Sequence, residues 1–144
     1  MRGALIIAVA ALAPVLALAE PYRGLDDRIR SSAAEAEALQ GPLDGAWTLV
    51  AADGAPLFDF QLVDRPGGQG IVEGVWRDLR RPQTPGDIGL IDVIVRSPTA
   101  LTITLGARAG QAAVLIALQP APTGGWSGLL REGGAATHVR LRRG

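Results

Sequence analysis

The chain has 144 residues, with 14 basic and 14 acidic side chains, a formal net charge of zero and no cysteine. Neutrality argues against a nucleic-acid-binding protein, which needs a positive excess to meet phosphates. The lack of cysteine excludes disulfides, Cys-based zinc sites and thiol nucleophiles. The 19 glycines and 10 prolines are typical of short strands joined by tight turns.

Residues 1–19 are predicted to be an export signal. Arg2 precedes a nearly unbroken apolar run at 4–18, and Ala17-Leu18-Ala19 places small residues where a signal peptidase cleaves. The run is too short for a membrane span and contains Pro14, so we expect no stable membrane insertion after cleavage behind Ala19. The mature protein is therefore expected to be periplasmic or secreted.

Residues 20–44 are predicted to form a short N-terminal helical arm. Apolar side chains recur there at spacings of three or four, namely Leu25, Ile29, Ala33, Ala36 and Leu39. Gly41-Pro42 ends the pattern. The apolar face is thin and rich in alanine, so this helix either docks on the main body or forms a mobile arm.

From Gly45 onward, residues 45–144 are predicted to form one β-barrel domain, because the hydrophobic period changes to two. Eight strands are expected, at 45–51, 56–63, 70–78, 88–96, 100–106, 111–119, 125–131 and 135–142. Turn residues separate them at short intervals, which favours antiparallel neighbours. The predicted fold class is therefore all-β, an antiparallel eight-stranded meander barrel, with a flattened sandwich as the alternative.

Alternation also predicts which side chains lie inside. A four-residue loop in the last hairpin pairs Arg131 with Ala136 and Gly128 with Val139, which places the apolar residues of both strands on one face. The runs 88–95 and 112–118 are almost wholly apolar and do not alternate. Their outer faces are expected to be covered by the 25–40 helix or by a second subunit in a homo-oligomer, or to be ordinary scattered surface hydrophobes.

The triplet Gly45-Ala46-Trp47 at the start of the first strand resembles the calycin barrels, which include lipocalins, avidins and small bacterial inhibitors of secreted metalloproteases. The segment GIVEGVW at 70–76 is similar to the third strand of an avidin-type barrel, and Gly125-Trp126-Ser127-Gly128 fits a closing hairpin. The resemblance implies an eight-stranded barrel over 43–142. For the inhibitors, it implies that the segment before the barrel, here 20–40, enters a protease cleft.

Aromatic side chains are the candidate ligand-binding residues. A barrel mouth could hold one small apolar or amphipathic molecule against them, and eight strands leave about that much interior. The candidate residues are Trp47, Phe58, Phe60, Trp76 and Trp126. The alternative is core packing, which a small domain without disulfides needs in any case.

A cluster of Arg77, Arg80 and Arg81 is the candidate anion site at the rim, since the guanidinium fork pairs well with planar anions. The alternative is a solvated loop with weak local ion pairs. His138 is the only imidazole, and no serine lies in a nucleophile elbow. We therefore expect no enzyme, no catalytic residue, no metal site and no cofactor.

Two functions follow from this pattern. The first is an exported barrel that binds a small apolar or amphipathic molecule at its mouth. The second is a protease-inhibitor-like interaction protein whose N-terminal arm and loops contact a secreted protease. Clustering of aromatic residues in the first half of the barrel favours the first.

Overall fold

The computed structural model describes residues 20–68, 70–108 and 110–144, and the predicted signal peptide at 1–19 lies outside them. Helix α1 spans Glu20–Ala38, so the predicted helical stretch ends before Gly41-Pro42. In the part of the chain that the structure describes, no helix is both long and apolar enough to cross a bilayer.

The rest of the chain is a single antiparallel sheet of nine strands. These are β1 Gly45–Ala51, β2 Pro56–Val63, β3 Glu73–Asp78, β4 Ile88–Leu90, β5 Val93–Ser97, β6 Ala100–Leu105, β7 Val114–Pro120, β8 Trp126–Glu132 and β9 Ala135–Arg143. A short 3₁₀ turn, Pro66–Gly68, lies between β2 and β3. The period-two pattern and its turn residues therefore locate the strands well.

The predicted strand 88–96 is wrong as a single element, because it is divided into β4 and β5. The amide of Ile91 donates to Gly74 O on β3 at 2.9 Å, whereas the amide of Asp92 donates to Thr104 O on β6 at 3.1 Å. The chain thus changes hydrogen-bonding partner within two residues. This change accounts for nine strands where eight were predicted.

The sheet is strongly curled but is not a closed barrel. Its strand order is β4-β3-β2-β1-β9-β8-β7-β6-β5, so the two edge strands are consecutive in the chain. The link at 91–92 brings the edges together without a ladder between β4 and β5 in the described residues. The architecture is a half-barrel with a seam, which corrects the prediction of a closed barrel.

Register places one apolar set inside the curl. Trp47 is paired with Phe60, and Phe60 with Trp76, so these three rings form one row across β1, β2 and β3. In the last hairpin, Arg131 is paired with Ala136 and Gly128 with Val139, as predicted. Strands β6, β7 and β9 supply aliphatic side chains to the same core, namely Leu101, Ile103, Leu105, Ile116, Leu118 and Leu141.

One end of the half-barrel is sealed by the segment before β1. Leu43 is buried there, and the Trp47 indole N–H donates to its carbonyl at 2.8 Å. Asp64, at the end of β2, accepts hydrogen bonds from the Leu43 amide at 3.0 Å and from Arg96 on β5 at 2.5 Å. Gly41 lies so close to Asp64 that a Cβ would overlap its carboxylate. We call this the sealed end.

The outer face of the sheet carries exposed apolar side chains on both sides of the seam. Leu90 is 77% exposed and Ile71 is 81% exposed, with Val75, Val93 and Val95 between 40 and 60%. By contrast, β7 alternates regularly between buried and exposed positions. The strands β4 and β5 at the seam therefore expose much of the apolar surface that the pattern at 88–95 predicts. That a second subunit covers this surface remains a prediction.

Candidate ligand-binding mouth

The end of the half-barrel opposite the sealed end is the candidate site, which we call the mouth. In an antiparallel meander, alternate connections meet at the same end. With β4 and β5 counted as one interrupted strand, those at this end are 52–55, 79–87, 106–113 and 133–134. The inward side chains nearest to them on β2 and β3 are Phe58 and Asp78, which are paired across the two strands. The mouth therefore combines an aromatic floor with a buried carboxylate.

A three-residue ion bridge spans the mouth. Nε and Nη2 of Arg80 donate to the two oxygens of Asp78 at 2.9 and 2.7 Å, and its Nη1 and Nη2 donate to Glu132 at 2.6 and 3.3 Å. The Asp78 side chain is fully buried, whereas Arg80 is 25% exposed. Arg80 also lies 4.6 Å above the Phe58 ring centroid. The bridge joins the loop after β3 to the end of β8.

Electrostatics in the bridge favour the charged forms. Burial alone would raise the pKa of Asp78, but hydrogen bonds from the Arg80 side chain and amide outweigh it, so the pKa lies below its usual value. The side-chain hydrogen bond from Arg80 to Asp78 raises the pKa of Arg80. Burial acts in the opposite direction, and the hydrogen bond to Glu132 adds to the rise. Each charged group of this bridge therefore has an oppositely charged partner within the protein.

Arg108 is the second guanidinium of the mouth, and its nitrogens have no hydrogen-bond acceptor among the described residues. It comes from the connection between β6 and β7 and lies 3.7 Å from the centroid of the Trp76 ring. Its Nε, Nη1 and Nη2 atoms are all buried. Burial lowers the pKa of Arg108, although the nearby Asp78 and Glu132 charges act in the opposite direction.

Arg108 belongs to a tight turn that presents a second unmatched polar atom. The Arg108 amide donates to Gln111 O at 3.1 Å, and the Gln111 amide donates to Arg108 O at 2.8 Å. The two residues thus form an isolated antiparallel bridge. The side-chain Oε1 of Gln111 is buried and has no donor in the part of the chain that the structure describes.

The predicted aromatic site residues are divided between the two ends. Phe58 stacks on Phe60 at 6.1 Å and meets Trp76 edge-on at 6.2 Å, and all three rings are buried. Trp47 packs at the sealed end, and half-buried Trp126 lies at the end of β8 remote from Glu132. The structure therefore brings Phe58 to the mouth, while Trp76 lies level with Phe60 and reaches the mouth through its contact with Arg108.

The predicted arginine cluster is divided as well. Arg80 lies in the mouth, but Arg77 is exposed on the outer face of β3, opposite to the inward Trp76 and Asp78. Arg81 is exposed in the loop that follows. Sequence reasoning missed Arg108, since the glycines on either side of it indicated only a turn. A cation between two turn glycines, Gly106 and Gly110, was the available signal.

A depression lies on the outer face of the sheet, across β1 to β4. It has a volume of about 440 Å³, and its outward side chains include Thr48, Gln61, Val75 and Ile88. Thr48 donates to Asp59 there at 2.7 Å, so its main polar pair is already satisfied. We call this depression the outer groove, and it is an alternative binding surface to the mouth.

Comparison of the chain with models of known families, with curated proteins and with solved structures finds no match. The curled antiparallel half-barrel is compatible with a barrel fold. The resemblance to calycins therefore rests on the sequence motif and this curl.

Proposed function

We propose that the protein is an exported binding protein that holds a small amphipathic molecule at the mouth of its half-barrel. The observation that carries this proposal is the Arg108 guanidinium, whose nitrogens are buried over Trp76 and find no acceptor in 20–68, 70–108 and 110–144. Export is supported by the apolar run at 4–18 and by Ala17-Leu18-Ala19.

A buried cation without an acceptor is costly to a fold. Buried polar groups nearly always find partners, and an unmatched one costs about 1–3 kcal/mol, or more when it is charged. Stacking on an aromatic ring stabilises the cation by about 0.5–2 kcal/mol but provides no acceptor for its N–H groups. Binding sites are where such local costs are expected, because the ligand supplies the missing partner.

Apolar side chains at the same end of the half-barrel offer surface for the rest of the ligand. Half-buried Leu57 and Leu79 are joined by a 2.9 Å backbone hydrogen bond and border the mouth. Because Trp47 and Leu43 close the opposite end, the mouth is the end from which a ligand reaches Trp76. A molecule with one polar and one apolar part matches this arrangement.

Amide NMR spectra of the mature protein, titrated with octanoate, test the location. We expect saturable shifts in 79–87 and 106–113 and unchanged signals at Leu43 and Asp64. Shifts confined to the outer groove at Val75 and Ile88 would contradict the proposal. So would the absence of saturable shifts up to millimolar octanoate.

The interaction function provides the alternative outcome. Secreted metalloproteases are assayed with the mature protein at stoichiometric concentration, with and without residues 20–40. Inhibition that requires 20–40, together with no response to octanoate, would transfer the function to the N-terminal arm. Retained protease activity together with shifts at the mouth supports the binding function.

A further inference from the structure

We infer that the turn carrying Arg108 and Gln111 recognises the head group of the ligand, and that this head group is a carboxylate with a hydroxyl or amide N–H beside it. The inference rests on the proposed function and adds the ligand class. Its basis is the pair of unmatched polar groups on one turn, a donor set on Arg108 and an acceptor on Gln111.

The isolated bridge fixes the direction of these two side chains. Residues directly opposite each other in an antiparallel bridge project their side chains to the same face, with Cβ atoms about 4.5–5.5 Å apart. Arg108 lies against the Trp76 ring and does not donate to Gln111, although both side chains leave the same face. A single ligand group can therefore meet both.

The charges in the mouth favour a ligand with no more than one negative charge. Asp78 and Glu132 are two carboxylates, and Arg80 and Arg108 are two guanidinium groups, so the set is neutral as it stands. A dianion would place two further negative charges beside the fully buried Asp78. A carboxylate adds only one, and its two oxygens match the planar fork of an arginine.

A cationic head group is less suited to the same place. Asp78 and Glu132 would be its partners, but both already accept hydrogen bonds from Arg80 at 2.6–2.9 Å. A cation would also have to displace Arg108 from the face of Trp76. The unmatched groups are the guanidinium N–H donors, and these require an acceptor.

The Gln111 oxygen adds a second element of selectivity. A carboxylate offers no donor, so on its own it leaves Oε1 of Gln111 without a partner. A hydroxyl or amide N–H next to the carboxylate supplies that donor within the same small head group. Acids of the 2-hydroxy or N-acylamino type have this arrangement.

Calorimetric titration with probes that share one eight-carbon tail tests the inference. The probes are octanoate, 2-hydroxyoctanoate, octanol, octyl phosphate and octylammonium. We expect octanoate to bind about 10- to 100-fold more tightly than octanol, since a hydrogen-bonded charge is at stake, and 2-hydroxyoctanoate to gain a further factor of about 2–10. Octyl phosphate and octylammonium are expected to bind more weakly than octanoate.

Three variants separate the roles of the residues. Arg108→Gln is expected to remove the preference of octanoate over octanol, and Gln111→Met to remove only the gain from the 2-hydroxyl group. Arg131→Gln is the matched control, because Arg131 is exposed on the outer face of β8 next to Glu132. It is expected to bind all five probes as the wild type does.

The outcomes distinguish this inference from the proposed function. Equal binding of octanol and octanoate, unaffected by Arg108→Gln, would overturn the head-group inference and leave a mouth that binds apolar tails. Tightest binding of octylammonium would overturn it in favour of a cation site. No binding of any probe would overturn both proposals. Far-UV circular dichroism of each variant confirms that a lost preference is not lost folding.

Discussion

Replacing Arg108 by methionine should make the protein more stable. If Arg108 is present for a ligand, the empty fold bears the cost of burying its three guanidinium nitrogens without acceptors. Methionine keeps an unbranched apolar chain and a sulfur against the Trp76 ring, and it buries no charge. The side chain would then fill the same space without an unmatched donor.

The magnitude follows from three contributions to the free energy of unfolding. Removing the unmatched guanidinium contributes about 1–3 kcal/mol of stability, and losing its contact with Trp76 subtracts about 0.5–2 kcal/mol. A sulfur–aromatic contact restores about 0.3–1.5 kcal/mol. The net expectation is a gain of about 1 kcal/mol, or a rise in Tm of about 3–5 °C for a domain of this size.

Urea unfolding of the mature protein at neutral pH, followed by tryptophan emission and by circular dichroism, measures this gain. Arg131→Met is the control, since it removes an exposed arginine and should change stability by no more than about 0.5 kcal/mol. A loss of 1 kcal/mol or more in Arg108→Met, with the control unchanged, would refute the reasoning. It would show that Arg108 stabilises the empty fold.

Two further predictions concern the neighbours of Arg108. Because the pKa of Asp78 is lower in the folded state, its contribution to stability is complete above its usual value of 3.8 and is lost as the pH falls through the folded value. Urea titrations from about pH 6 to pH 2 should therefore show that the free energy of unfolding falls less steeply with pH in Asp78→Asn than in the wild type. Near pH 7 this variant is expected to be about 3 kcal/mol less stable, because Arg80 loses a buried partner. Equal slopes of stability against pH would contradict this. In Gly89→Ala, the new Cβ would lie 2.6 Å from Cζ2 of Trp76, so a loss of about 1–3 kcal/mol in thermal unfolding is expected. Gly70→Ala, whose nearest contact would be 3.5 Å, is the control, and equal Tm values for the two variants would show that Trp76 moves aside freely.

The strand pattern was predictable because each strand obeys a local rule. The last hairpin illustrates this, since a slip by one residue would move Val139 and Leu141 to the face opposite Leu130. The division of 88–96 was not predictable in the same way. Ile91 and Asp92 are neither glycine nor proline, and the change of partner there depends on where two strands distant in sequence order, β3 and β6, come to lie.

The mouth was predictable only in part, for a related reason. Arg80 follows Asp78 by two residues, so their local ion pair is visible in the sequence, but the bond from Arg80 to Glu132 joins positions 52 residues apart. The place of Arg108 over Trp76 is likewise a long-range contact made by a loop. Composition and periodicity describe faces of strands and carry no information about where a loop side chain comes to rest.

At the seam, the described residues form no ladder between β4 and β5, so backbone hydrogen bonds do not fix the circumference of the half-barrel there. In a closed barrel, strand number and stagger set the radius, so widening it breaks a ladder of backbone hydrogen bonds. Here the two edges meet at the link 91–92, and the Arg96–Asp64 ion pair ties β5 to the end of β2 at 2.5 Å. Widening the interior would therefore part side chains along β4 and β5 and work against the Arg96–Asp64 ion pair, but every strand would keep its paired neighbour.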